Sequence, residues 1–233
     1  TVTAAPGYPE LAVKNLAELT GIDFKNSEDL IAATSDCGAY MTLSSAIKGL
    51  AVKMTKVCND IRLLASGPRC GLKEINLPQL QPGSSIMPGK VNPVAAEVAN
   101  QASFLAIGLD TTVMLAASAG QLELNVMEPV ITFALYTQMK VMTNACDTLR
   151  TKLVEGVTAN TERCKDYVMN SIGIVTLLKP HFGYQKCAAI AKEGYTTGKS
   201  LHQIVVDEQH LMTQAEWDAT FNTQNLIHPK FVK

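Results

Sequence analysis

Between positions 43 and 64 the apolar residues recur at alternating intervals of four and three: Leu43, Ile47, Leu50, Met54, Val57, Ile61 and Leu64. This heptad-like seam predicts a long α-helix packed nearly parallel to its neighbours. Ser66-Gly67-Pro68 stops it. A second long helix is predicted over 93–119, with Asn92 as N-cap, Pro93 in the first turn, and Val94, Val98, Leu105, Thr112 and Leu115 among its apolar positions. A third is predicted over 129–154, with Ile131, Leu135, Met142, Ala145 and Leu149 in one stripe. Before the seam, a short helix over 10–20 ends at Gly21, and another follows with Asn26 or Ser27 as its cap.

After Gly156 the texture changes. Shorter helices are predicted, separated by turns at KPHFGY and TTGKS, and Thr213 with Glu216 has the spacing of a capping box. No strand alternation of useful length and no internal repeat is visible. The expected fold is therefore all-α: a long-helix bundle over 1–160, then a small helical domain over 161–233.

Composition fits this picture and narrows the chemistry. Nearly half of the residues are hydrophobic and only 6% are aromatic, so Ala, Val, Leu, Ile and Met supply the apolar mass, as in helix-on-helix packing. The formal net charge is −1. No basic stripe suggests nucleic acid. No uninterrupted apolar run reaches the roughly 18 residues of a membrane span, and the N-terminus has no signal-peptide pattern. The six cysteines form neither a CxxC nor a metal-ligand spacing, which suits reduced thiols in a cytoplasmic protein. The Gly198-Lys199 pair lacks the upstream glycine of a phosphate loop and reads as a turn.

The stretch over 66–92 is long, rich in Gly and Pro, and lacks periodicity, which marks a functional or disordered loop. Its last part reads Gly83-Ser84-Ser85-Ile86-Met87-Pro88-Gly89-Lys90-Val91-Asn92-Pro93. Two hydroxyls, a lysine and an amide run straight into a helix N-terminus, where unpaired N–H groups and the positive dipole end favour an anion. A small carboxylate is a natural guest, and the loop has the composition of a closing lid. The same composition also suits a plain connector.

This segment resembles the GSxxMPxKxNP signature of the fumarase/aspartase superfamily at every fixed position. SGPRCG, GQLELNVMEPV, NSIGIVT and QNLIHP extend the resemblance over the chain. PVAAEVANQ, NVMEPV and SIGIVT are more similar to the ammonia-lyase branch than to the hydratase branch. The resemblance implies a carbon–nitrogen lyase that deaminates L-aspartate reversibly to fumarate and ammonia through an aci-carboxylate intermediate. It implies Ser84, rather than its neighbour Ser85, as general base. Lys90 and Asn92 would bind the substrate carboxylate, the N–H groups of Ile86 and Met87 would stabilise a seryl oxyanion, and Glu97 would pair with an active-site histidine. His181, His202, His210 and His228 lie outside the signature and receive no catalytic role. No cofactor, metal, nucleic acid or membrane is implied, and the whole protein is expected to be a homotetramer.

The superfamily's upstream substrate-binding segments do not occur here. The chain therefore reads as the C-terminal half of a longer protein, inactive alone. The alternatives are a fumarate hydratase acting on malate, and a non-catalytic crystallin-like scaffold.

Overall fold

The computed structural model describes residues 3–228. Thr1 and Val2, at the start of the segment that lacks a signal-peptide pattern, and Pro229 of QNLIHP lie outside the described residues. The architecture is helical as expected, apart from one two-residue antiparallel strand pair, and forms two compact units.

The first unit comprises residues up to Leu63 together with Leu77–Val157. Helix α1 (Tyr8–Thr20) has Pro9 in its first turn and closes on Gly21, whose φ of 72° lets its N–H reach the carbonyl of Ala17. The helix expected next does not form. Asp29, not Asn26 or Ser27, does the capping: its Oδ1 accepts from the N–H groups of Ile31 and Ala32 at 2.9 and 3.0 Å. Only one 3₁₀ turn follows, Ala32–Thr34, because so short a segment without a buried stripe cannot sustain a helix.

Helix α2 spans Gly38–Leu64. Its buried stripe is Ser44, Ala51, Met54 and Cys58, with Ile47 and Ile61 partly buried beside it. The sequence seam is thus only half covered. Leu43, Leu50 and Val57 lie one position round the helix and remain 44%, 47% and 50% exposed.

Helix α3 (Val94–Ser118) differs more from expectation. Apart from Val113, its buried face consists of small or polar residues, among them Ala95, Ala96, Ala99, Asn100, Ser103, Ala106 and Asp110. The larger Val98, Phe104, Leu105 and Leu115 point outward. Small side chains let neighbouring helix backbones approach closely, so the bulky ones are displaced to the other face. This 25-residue helix is long and apolar enough to cross a membrane, yet its buried face carries Asn100 and Asp110.

Helix α4 (Glu128–Lys152) matches expectation: Ile131, Leu135, Met142 and Ala145 are buried and Leu149 packs beside them. It lies antiparallel to α3, with Val94 and Ala95 beside Lys152 and Leu153. Asn125 sets the reversal between them. Its buried amide donates to the carbonyls of Ala116 and Ala117 and to Cys37 Sγ, while its Oδ1 accepts from the Met127 N–H.

Helix α2 also runs antiparallel to α3. Ser44 donates to Asp110 Oδ1 at 2.8 Å and Lys48 to Oδ2 at 2.5 Å, and Asn100 Nδ2 donates to Asn59 Oδ1 at 2.8 Å. Burial pushes the Asp110 carboxyl up. The hydrogen bonds from Lys48 and Ser44, with the Lys48 charge and Ser45, outweigh it and hold the group below its ordinary value.

The second unit joins Leu64–Asn76 to residues 158–228. Strand β1 (Ile75–Asn76) pairs with β2 (Thr158–Ala159), Ile75 opposite Ala159. Asn160 extends the junction: it donates to the Lys73 carbonyl at 2.8 Å and accepts from Asn76 Nδ2 at 2.7 Å. Helix α5 (Thr161–Met169) and a 3₁₀ segment Ile172–Leu178 lead to α6 (Lys179–Thr197), which is broken at Gly183 and ends on Gly198. A π-helical turn Gln203–Glu208 precedes α7 (Gln214–Thr220) and α8 (Thr223–Ile227). The capping box at Thr213 and Glu216 is formed in both directions. The core gathers Leu178, Ile190, Ile204 and Val205 around Trp217, which stacks on Phe221 at 3.9 Å. His202 bonds Gln214 and meets Trp217 edge-on, a packing role.

All six cysteines are free thiols. Cys37, Cys58 and Cys187 are buried, and burial pushes all three thiols up. Cys146 and Cys164 are half-buried and Cys70 is exposed.

Candidate active site in the 83–92 loop

The signature segment is an exposed loop with a pinched base. Gly83 lies so close to Lys90 that a Cβ on it would fall 1.8 Å from the Lys90 carbonyl oxygen, so only glycine fits. Asn92 tightens the same neck, donating from Nδ2 to the Gly83 carbonyl at 2.6 Å. That bond corrects the expected N-cap. Helix α3 starts at Val94 with Pro93 as its cap residue, and no side chain caps it. The Asn92 amide finds its acceptor across the loop instead.

At the far end, Met87-Pro88-Gly89-Lys90 makes a tight turn. Gly89 has φ of 78°, and the Lys90 N–H bonds the Met87 carbonyl at 3.3 Å. Pro then Gly at the central positions is the chemistry of a type II turn. It presents the Lys90 side chain outward, with no carboxylate among the described residues paired to it.

Between neck and turn the two serines differ. Ser84 is half-buried, and its Oγ accepts hydrogen bonds from the N–H groups of Ile86 and Met87, both at 3.1 Å. Ser85 is exposed and makes no such bond among the described residues. Two aligned N–H donors on one hydroxyl oxygen bind its anion more strongly than its neutral form. The arrangement therefore eases removal of the Ser84 proton. Lys90, four residues on from Met87's neighbour Ile86, adds positive charge to the same loop.

Glu97 is half-buried in the first turn of α3, its N–H bonded to the Pro93 carbonyl at 3.0 Å. No described side chain pairs with its carboxylate. The structure thus gathers Ser84, Ile86, Met87, Lys90 and Asn92 into one loop and leaves Glu97 just beyond the loop's exit. Sequence reasoning missed the neck. The glycine was visible, but the close approach that requires it depends on the chain folding back.

Ser84 and Glu97 are half-buried and Lys90 is exposed. A crevice too narrow to admit a water molecule lies beside the loop's exit, among Leu77, Leu80, Asn92, Pro93 and Leu153. A larger depression of about 440 Å³ belongs to the second unit, at Pro68, Lys73 and Arg163. No group of three or more His, Cys, Asp or Glu among the described residues is placed to hold a metal.

Comparison with known proteins gives this arrangement its context. The Lyase family model matches residues 1–108, and the Fumarase C C-terminus model matches residues 174–228. Among solved structures, the fumarate lyase:delta crystallin of Brucella melitensis bound to cobalt is 40% identical with a TM-score of 0.89, covering 94% of this chain and 47% of that one. The class II fumarase of Schistosoma mansoni is 32% identical with a TM-score of 0.88, covering 97% and 50%. The chain belongs to the fumarase/aspartase superfamily of lyases.

Within that superfamily its similarity is to the aspartate ammonia-lyases. It is 57% identical to that of Escherichia coli (strain K12) over 96% of this chain and 47% of the relative. It is 51% identical to that of Helicobacter pylori (strain 26695) over 100% and 49%. The chain thus spans about half the length of the curated relatives it matches.

Proposed function

We propose that the whole protein is an aspartate ammonia-lyase and that this chain supplies its catalytic loop. The observation that carries the reading is Ser84 Oγ held by two backbone N–H groups within an intact signature. The half-identity to aspartate ammonia-lyases favours aspartate over malate.

In this reading the Ser84 oxyanion, stabilised by the Ile86 and Met87 N–H groups, takes a proton from Cβ of L-aspartate. The electron pair moves into the adjacent carboxylate and gives an aci-carboxylate with two negative charges. The Lys90 ammonium and the remaining N–H of the Asn92 amide neutralise part of that charge. The C–N bond then breaks, ammonia leaves Cα, and fumarate is released. Glu97 pairs with a histidine supplied from outside these residues and sets its orientation. No cofactor enters these steps.

The site is incomplete in this chain, so residues from elsewhere must close it. The outward Leu50, Phe104, Leu105, Phe133 and Tyr136 form apolar faces of the kind that subunits cover. Covered by equivalent helices, they make the whole protein a homotetramer, and its free thiols and small-molecule chemistry suit the cytoplasm.

The test is fumarate formation, followed by ultraviolet absorbance, on adding L-aspartate or malate separately to the full-length protein. Turnover of aspartate alone supports the proposal. Turnover of malate alone makes the protein a fumarate hydratase, the reading that the Schistosoma structure would favour, and turnover of neither favours another amino-acid-derived substrate of the superfamily or a scaffold without chemistry.

A further inference from the structure

Two polar contacts interrupt the seam between α2 and α3. One is Asp110 with Ser44 and Lys48. The other, nearer the loop, has a fixed polarity. Arg62 can only donate, and it donates to Asn59 Oδ1 at 3.3 Å. Asn59 therefore presents its carbonyl oxygen to this contact, and Asn100 must answer with its amide nitrogen, at 2.8 Å. The free end of the relay is then the Asn100 carbonyl oxygen. It is buried without a donor among the described residues, on a side chain 3% exposed.

Around it the buried face of α3 is Ala95, Ala96 and Ala99. Methyl groups of that size tolerate rotation of the helix about its axis, whereas a hydrogen bond does not. Glu97 stands three residues before Asn100, on the same side of the helix. Asn92, which closes the loop's neck, lies two residues before the helix begins.

We infer that Asn100 is a positioning residue: through Asn59 it fixes the rotation of the first two turns of α3, and with it the direction of Glu97 and the exit of the 83–92 loop. The kinetic part of this inference rests on the function proposed above. Gln138 is the natural control. It is equally buried, it also has a carbonyl oxygen without a donor, and it bonds the Ala106 carbonyl, six residues and just under two turns beyond Asn100 along α3.

The experiment compares Asn100→Leu, Asn59→Leu, Asn59→Asp and Gln138→Leu in the full-length protein. Leucine at 100 removes an unpaired buried acceptor, so a merely structural residue would leave activity intact or lose it only as the melting temperature falls. For a positioning residue, Asn100→Leu and Asn59→Leu lower kcat about 10-fold or more with KM within about twofold and the melting temperature near wild type. Asn59→Asp, which keeps the acceptor, retains activity, and Gln138→Leu leaves both constants unchanged. Amide hydrogen exchange gives a readout independent of substrate: the two leucine variants at 59 and 100 exchange faster over 83–97 and nowhere else. Wild-type kcat in Asn100→Leu, or unchanged exchange over 83–97, overturns the inference and leaves the proposed function standing. A wild-type protein inactive on both substrates sinks the function alone, and the exchange result still decides the role of Asn100.

Discussion

Asn92 donates to the carbonyl of Gly83 at 2.6 Å, joining the two ends of the signature loop across its neck. The bond explains why a strong N-cap residue does not cap α3. It also makes Gly83 and Asn92 a pair: one permits the close approach and the other fastens it.

Gly83→Ala is therefore expected to open the neck, since its Cβ would meet backbone and not a yielding side chain. A displacement of the order of an ångström at Ser84 lowers kcat by about 100-fold. The melting temperature should stay near wild type, because the loop is exposed. Steady-state kinetics beside thermal denaturation checks both.

Ser84→Ala removes the hydroxyl that the two N–H groups hold. An expected kcat loss of about 10²- to 10⁴-fold, with assembly unchanged by light scattering, follows from the general-base role proposed for Ser84. Ser85→Ala should retain most of the activity, and a comparable loss there would exchange the roles of the two serines.

Lys48→Met strips Asp110 of its cationic partner while Ser44 still donates. At pH 7 this should cost about 2–3 kcal/mol in urea denaturation, less than a broken fully buried pair costs, because Lys48 is 41% exposed. The folded-state pKa of Asp110 is lowered, so its contribution is present above the unfolded carboxylate range and is lost as pH falls through the folded value. The gap between variant and wild type should accordingly narrow towards acid pH. A constant gap would show that packing, not charge, is at work.

Thr213→Ala breaks the capping box of α7 in both directions. The expected loss is about 1 kcal/mol. It is confined to the second unit and leaves kcat unchanged, as calorimetry beside an activity assay would show.

Leu50→Glu places a charge on the uncovered stripe of α2. The fold of the protomer should tolerate it, since Leu50 is not part of its core. Subunit association should not, and sedimentation velocity would reveal smaller species. An unchanged sedimentation coefficient would place any interface elsewhere.

The helical class, the end of α2, the extents of α3 and α4 and the capping box were legible in the sequence because each rests on local spacing. The buried stripe of α4 was legible too, since it uses large residues such as Ile131 and Met142. That of α3 was not. Its inner face is mostly alanine with Asn100, Ser103 and Asp110, and Val113 is its one large apolar residue, while Val98, Phe104, Leu105 and Leu115 point away, so a reading by hydrophobic size selects the wrong side. In α2 the two faces share Ile47, Met54 and Ile61, and no local signal says which is covered by this chain. The loop's chemistry was visible in its motif and its type II turn in Pro88-Gly89. The neck at Gly83 was hidden because it depends on residues seven and nine positions away, and the β1–β2 pair because two residues are too few to alternate.

The fastened neck also changes where entropy is lost. Bringing the ends of a flexible segment together carries a cost that grows with the logarithm of its length. Here that cost falls on folding, when Asn92 meets Gly83, and not on the encounter with a ligand. A ligand bound at this loop would have only the residues inside the neck left to order, so more of the energy of contact would remain for holding it.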